Sequence, residues 1–266
     1  MTIAVFGGGV MGEAILSGLL RAGHAPDEIV VAERRAERAA ELTESYGVAV
    51  VDNAAAAEAA DTLILVVKPQ DMDGLLAEIA PHVSHESLVI SLAAGITTET
   101  LESRTPAGVP VVRVMPNTPA LVDEGMSAIS AGAHCDDEHL EQAEQLMRSV
   151  GHVVRVQEKY QDAVTAISGS GPAYVFYVIE AMIEAGVLLG LPRAVASELA
   201  IQTLVGSAKM LKETGEHPSV LRENVSSPAG TTVAALRVLD DHKVRAAFLS
   251  AMEAARNRSH ELATGN

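Results

Sequence analysis

Hydrophobic and polar positions change rhythm about halfway along the chain. In the first half, short apolar runs alternate with longer amphipathic stretches. Thr2–Phe6, Ile29–Ala32, Thr62–Val67, Ser87–Ser91 and Val111–Met115 have the length of strands rather than helices. Thr62–Val67 is almost wholly aliphatic, as a strand covered on both faces requires. Between these runs, Met11–Ala22 sets Ile15, Leu19 and Leu20 on one helical face. Ala36–Tyr46 reads as a charged helix, and Ala-rich Ala54–Ala60 fits a short one. A strand at Met126–Ser130, a helix over Asp137–Val150 and a short strand at His152–Val156 close this half. Such alternation predicts an α/β domain, a doubly wound parallel sheet with helices on its faces.

After Gln157 the strand-like runs stop. Helical patterns follow at Ala173–Leu189, Arg193–Thr214, Thr231–Leu239 and Lys243–Leu262. The predicted boundary lies there: an α/β domain over residues 1–155 and an all-α domain over 156–266. Val175, Phe176, Val178 and Ile179 cannot all face one core. A helix apolar all round is covered by other helices, here expected to come from a second subunit; a compact monomeric bundle is the alternative. The apolar stretch Ala163–Leu191 is broken by Gly169, Gly171 and Pro172 and carries Glu180 and Glu184. It therefore reads as buried helices rather than a membrane span.

Composition narrows the classes. The 266 residues suffice for one large domain or two ordinary ones. Aromatic residues make up 3% and there is no Trp, so the core must be aliphatic. A net charge of −16 disfavours nucleic acid and anionic membrane as partners. A phosphate-rich ligand would then need backbone N–H groups or a local positive site. Cys135 is the sole cysteine, which excludes an internal disulfide and suits a cytoplasmic enzyme. Thr2–Phe6 runs straight into glycines with no basic segment before it, unlike a secretory signal. The histidines are scattered, and no metal site is expected.

Gly7-Gly8-Gly9-Val10-Met11-Gly12 matches G-x-G-x-x-G between a predicted strand and a predicted helix. Gly7 would allow the tight turn, Gly9 the approach of a pyrophosphate, and Gly12 close helix packing, with the helix N-terminus facing the phosphates. This makes the first domain Rossmann-like and a nicotinamide dinucleotide its expected ligand. The second strand ends in Glu33-Arg34-Arg35. An acidic residue there suits the ribose hydroxyls of NADH, and arginines suit the 2′-phosphate of NADPH. The two arginines favour NADPH, with NADH as the alternative. Val66-Val67-Lys68-Pro69 and Ser91–Gly95 end further strands, where ligands of open parallel sheets sit. Asn117 and Thr118, in the proline-bounded Arg113–Pro119 segment, are expected to bond turn backbone. Ser168-Gly169-Ser170-Gly171-Pro172 permits close backbone contact at a helix start. Asn224–Thr232 offers hydroxyls and a helix N-terminus suited to a carboxylate, or an ordinary N-cap on Ser227 or Thr231.

These segments resemble pyrroline-5-carboxylate reductase over nearly the whole chain. Arg113–Ala120 (RVMPNTPA), Ser168–Tyr174 (SGSGPAY), Asn224–Thr232 (NVSSPAGTT) and Arg258–Leu262 (RSHEL) carry the resemblance most specifically. It implies a Rossmann domain, a helical dimerisation domain and a homodimer, assembled further into a decamer of five dimers. It also implies that Phe6, Gly7, Gly8, Gly9, Val10, Met11, Arg34, Arg35, Asn53, Val66, Val67, Lys68, Pro69, Ala93, Ala94 and Gly95 line the NAD(P)H site. Glu158, Asn224, Gly230 and Thr231 would then bind 1-pyrroline-5-carboxylate, with Ser227 and Thr232 catalytic. The family usually has Pro-Gly-Gly where this chain has Pro228-Ala229-Gly230, and the position is expected to accept the methyl group without left-handed backbone. Two other readings are a related two-domain dehydrogenase acting on another small acid and a non-catalytic NADP-binding regulator.

Overall fold

The structure, a computed structural model, describes residues 1–264. It divides into two compact units: Met1–Ser170 together with the chain from Ala255 onward, and Gly171–Ala254.

Among the described residues of the first unit, eight strands form one sheet. They are β1 (Ile3–Phe6), β2 (Ile29–Ala32), β3 (Ala49–Val51), β4 (Thr62–Leu65), β5 (Leu88–Ser91), β6 (Val111–Met115), β7 (Gly125–Ala131) and β8 (Gly151–Arg155). Their order is β3-β2-β1-β4-β5-β6-β7-β8. All neighbours run parallel except β6 and β7. The exception has a simple cause: only residues 116–124 join those two strands, too few for a crossover helix.

The alternation within each strand feeds two cores. Ile3 and Val5 face the helix Val10–Arg21, meeting Ile15 and Leu19. Ala4 and Phe6 face the opposite side, meeting Met72 and Leu76 of the helix Pro69–Ile79. All four side chains of β1 are fully buried, and each large one contributes about 1.5–3 kcal/mol. The strands are thereby pinned, and the loops at their ends are left free to diverge.

Residues 158–170 belong by contact to this unit. Gln161 is buried, and its Nε2 donates to the Ala128 carbonyl (3.2 Å) and Ser130 Oγ (2.7 Å) of β7. The contact division thus falls at Ser170, later than the change of sequence texture at 155/156. The segment ends in a π-helical turn, Thr165–Gly169, closed by Ser170 N–H to the Thr165 carbonyl (2.8 Å). Asn117 Nδ2 donates to the Ser168 carbonyl (3.1 Å), and Asn117 Oδ1 accepts from the Met126 N–H (2.8 Å). Asn117 therefore bonds distant backbone rather than that of its own turn, tying the π turn to the start of β7. The end of the last helix, Val244–Thr264, returns here: Ser259 Oγ donates to Asp162 Oδ1 (2.7 Å).

The second unit contains the helices Gly171–Leu188, Arg193–Thr214, Pro218–Asn224 and Thr231–Asp241, then the first half of Val244–Thr264. Gly186 lets the first two approach closely, since a β-carbon there would lie 2.8 Å from Ala196 Cβ. Among the described residues of this unit, only Ala196 and Ala200 are buried hydrophobics. Tyr177 is 75% exposed and Leu188 87%. Such an apolar surface marks an association face. Glu158–Leu188 has the length and hydropathy of a membrane span. Helices covered by other helices share that signature, and this one carries Glu180 and Glu184.

Candidate active site

Strand register lines up the candidate cofactor loops of the first unit. Phe6 pairs with Ala32 on one side and Leu65 on the other, and Leu65 pairs with Ser91. The loops after β1, β2, β4 and β5 therefore leave the sheet at one level. The order of strands reverses between β1 and β4, which opens a crevice at their carboxyl ends.

The glycine turn has the geometry its sequence predicts. Gly7 has φ +106°, a conformation that disfavours a side chain. Gly9 is the N-cap of Val10–Arg21, with no side-chain cap and open space where a β-carbon would point. At Gly12 a β-carbon would overlap the Gly7 carbonyl. An uncapped helix start facing open space fits a pyrophosphate. Phe6 lends only its backbone, because its ring lies in the core. Val10 is exposed, and Met11 packs half-buried against the core.

The Gly8 peptide is gripped from both sides. Glu33 Oε2 accepts its N–H (3.1 Å), and Arg38 Nε donates to its carbonyl (2.8 Å). Arg38 also pairs with Glu13, whose Oε1 accepts from the Tyr46 hydroxyl (2.9 Å). The sequence does not single out Arg38, because no spacing rule links a helix residue to a loop thirty positions earlier. Glu33 is bonded as well to Arg35, through its N–H (2.9 Å), Nε (3.0 Å) and Nη2 (3.1 Å). These bonds hold the Glu33 carboxyl down at about 2, against the cost of burial. Arg34 is exposed and makes no hydrogen bond or ion pair among the described residues.

The other cofactor candidates flank this turn. Val66 and Val67 are half-buried, while Lys68 and Pro69 are exposed at the start of the helix Pro69–Ile79. Asn53 is buried and donates to Glu78 Oε2 (2.8 Å). Ala93 is buried, Ala94 exposed, and Gly95 takes φ +77° against the backbone of Leu262 and Ala263.

Glu158 also belongs to the first unit. One carboxylate oxygen accepts the Thr98 N–H (2.7 Å) and Arg113 Nη1 (3.2 Å), and the other accepts the Thr98 hydroxyl (2.7 Å). Arg113 is buried on β6. Thr98, a partner that the motifs did not single out, starts the short helix Thr98–Glu102.

Asn224, Ser227, Gly230, Thr231 and Thr232 lie in the second unit. Asn224 ends one helix, and a turn follows in which the Gly230 N–H donates to the Ser227 carbonyl (3.0 Å). Pro228 and Ala229 are its central residues, and Ala229 takes φ +57°. The expectation that Ala229 avoids left-handed backbone is thus corrected. A turn with Pro first and positive φ second favours Gly at the second place. The N-cap of Thr231–Asp241 is Gly230, without a side-chain cap. Neither Ser227 nor Thr231 acts as the cap, so the first N–H groups of that helix remain available. Thr232 is half-buried there, while Asn224, Ser227 and Thr231 are exposed.

The comparisons bear on both units. A pyrroline-5-carboxylate reductase from Corynebacterium melassecola is 52% identical over 265 residues, 98% of each chain. This chain belongs to the pyrroline-5-carboxylate reductase family. The family model "Pyrroline-5-carboxylate reductase dimerisation" matches residues 158–262. The model "NADP oxidoreductase coenzyme F420-dependent" matches residues 2–95, which hold every cofactor candidate. A solved pyrroline-5-carboxylate reductase from Coxiella burnetii superposes with a TM-score of 0.92 at 38% identity, covering 98% of both chains. One from Plasmodium falciparum, solved with NADP bound, gives 0.89 at 29% identity, covering 99% of this chain and 98% of that one. As a family member the chain is an NAD(P)H-dependent oxidoreductase with a dimerisation region.

Proposed function

We propose that this chain reduces 1-pyrroline-5-carboxylate to L-proline, the last step of proline biosynthesis, as a cytoplasmic homodimer assembled into a decamer of five dimers. The observation that carries the reading is the presence on one chain of two uncapped helix starts suited to anions, at Gly9 and at Gly230. Residues 1–155 hold the cofactor, and 156–266 bind substrate and dimerise. Phe6–Met11, Arg34, Arg35, Asn53, Val66–Pro69 and Ala93–Gly95 hold NAD(P)H, which supplies a hydride to the imine carbon when bound. The N–H groups at Gly230–Thr232 and the hydroxyls of Ser227 and Thr231 hold the carboxylate, aided by Asn224. The ring nitrogen must carry a proton as the carbon is reduced. Thr232, half-buried at the helix start, hydrogen-bonds that nitrogen and relays the proton. Glu158, with both oxygens engaged by Thr98 and Arg113, acts by positioning.

The test is a steady-state assay with pyrroline-5-carboxylate and either NADPH or NADH, with other cyclic imines and 3-hydroxy acids as controls. Thr232→Ala is expected to lower kcat by about a hundredfold. Full turnover by a folded Thr232→Ala protein would reject its role, and no imine reduction by the unaltered chain would reject the function.

A further inference from the structure

Gly7, Gly8 and Gly9 are consecutive, so the two peptide planes between them have no β-carbon on either side. Such planes turn over more readily than those between other residues, yet an anion needs their N–H groups to point one way. Gly8 is buried, and both of its polar atoms are taken by side chains. Its N–H donates to Glu33 Oε2 (3.1 Å), and its carbonyl accepts from Arg38 Nε (2.8 Å). That carbonyl shares a trans peptide with the Gly9 N–H, and in a trans peptide the two groups point in opposite directions. Pinning the carbonyl to Arg38, on the helix Ala36–Tyr46, therefore turns the Gly9 N–H away from that helix. Gly9 is exposed, and among the described residues its N–H makes no hydrogen bond.

Arg38 is itself held in place. Its Nη1 donates to Glu41 (2.9 Å), and its Nη2 pairs with Glu13. Glu13 lies in the first turn of Val10–Arg21, and its Oε1 accepts from the Tyr46 hydroxyl (2.9 Å). Every guanidinium nitrogen is thus engaged, and the side chain is only 22% exposed. Two carboxylates offset its charge, so it is not a spare cation for a phosphate. We infer that, at the dinucleotide site proposed above, Arg38 is a positioning residue: it holds the Gly8–Gly9 peptide so that the Gly9 N–H meets the pyrophosphate. It touches no part of the cofactor itself. The helix N-terminus supplies the attraction, and Arg38 supplies the direction. The turn is set before the cofactor arrives, so binding does not have to order it. NADPH and NADH carry the same pyrophosphate, and the hold serves both equally.

Two substitutions of similar length test this. Arg38→Gln keeps an N–H donor in the place of Nε, because both nitrogens are bonded to Cδ, whereas Arg38→Met keeps the apolar stem and no donor. Arg38→Met is expected to raise KM for NADPH and for NADH by the same factor, about tenfold. The kcat at saturating cofactor and the KM for pyrroline-5-carboxylate are expected to hold. Arg38→Gln is expected to stay within about threefold of the unaltered chain. A merely structural role would lower the urea midpoint of both variants and leave both cofactor KM values in place, which overturns the inference. Equal impairment of the two variants overturns it, because the charge rather than the bond would then act. A rise for NADPH alone overturns it too, since that marks a 2′-phosphate contact. Should Arg38→Met fail to fold, a crystal structure of the unaltered chain with NADPH decides. The Gly8 carbonyl is expected on Arg38 Nε and the Gly9 N–H on a phosphate oxygen; a guanidinium moved onto a phosphate overturns the inference. If the unaltered chain binds neither dinucleotide, the dinucleotide site itself is refuted, a result distinct from an unmoved KM.

Discussion

Ala229 shows how much one methyl group can matter. At φ +57° its β-carbon crowds the following carbonyl, costing roughly 1–2 kcal/mol. Glycine would remove that strain but return about 0.4–1 kcal/mol of unfolded-state entropy. Ala229→Gly is therefore expected to stabilise the fold by about 1 kcal/mol, read as a higher urea midpoint. Glu33 makes a different residue-scale prediction. Its carboxyl sits at about 2 in the folded chain, below the ordinary 4.5. A lowered folded value contributes stability that is fully present above 4.5 and is lost as pH falls toward 2. Urea midpoints measured between pH 6 and pH 3 should fall less steeply in Glu33→Gln than in the unaltered chain. Glu13, Asp136 and Glu144 are also lowered, so a residual slope persists in the variant.

At the scale of elements, Glu158 staples the 158–170 segment to the start of Thr98–Glu102 and to β6. Glu158→Ala would strand the Arg113 guanidinium, only 5% exposed. The expected loss is about 3 kcal/mol, measured by thermal unfolding, with Glu158→Gln losing less. Elements with a strong period are legible in the residues alone: β1, β4 and β5, the helix Val10–Arg21 and the long helices after residue 170. The glycine turn is legible because each of its glycines answers a separate steric demand. Other parts leave no periodic trace. β3 has only Ala49–Val51, exposed or half-buried, and Pro218–Asn224 spans seven residues. The direction of β7 depends on the length of a connection, and the π turn on a side-chain bond from Asn117 fifty-one residues away. The roles of Arg38 and Thr98 rest on contacts across the fold, which spacing along the chain does not encode.

At the scale of the whole molecule, the second unit lacks a core of its own among its described residues. Tyr177 and Leu188 are the sharpest exposures on the helix Gly171–Leu188, within the family's dimerisation region. Replacing both with Asp is expected to yield monomers in sedimentation analysis. A dimeric double variant would remove these residues from the interface. The same architecture imposes an order on biosynthesis. The first unit spans Met1–Ser170 but also takes in the chain from Ala255 onward, where Ser259 meets Asp162. A ribosome working at the usual pace takes roughly 4–17 s to add the intervening residues. Throughout that interval the nascent nucleotide-binding unit waits without the partner of Asp162, and it closes only once the codons for residues 255–262 have been read. A premature stop in those codons would damage the N-terminal domain, although every residue up to Ser170 had been made.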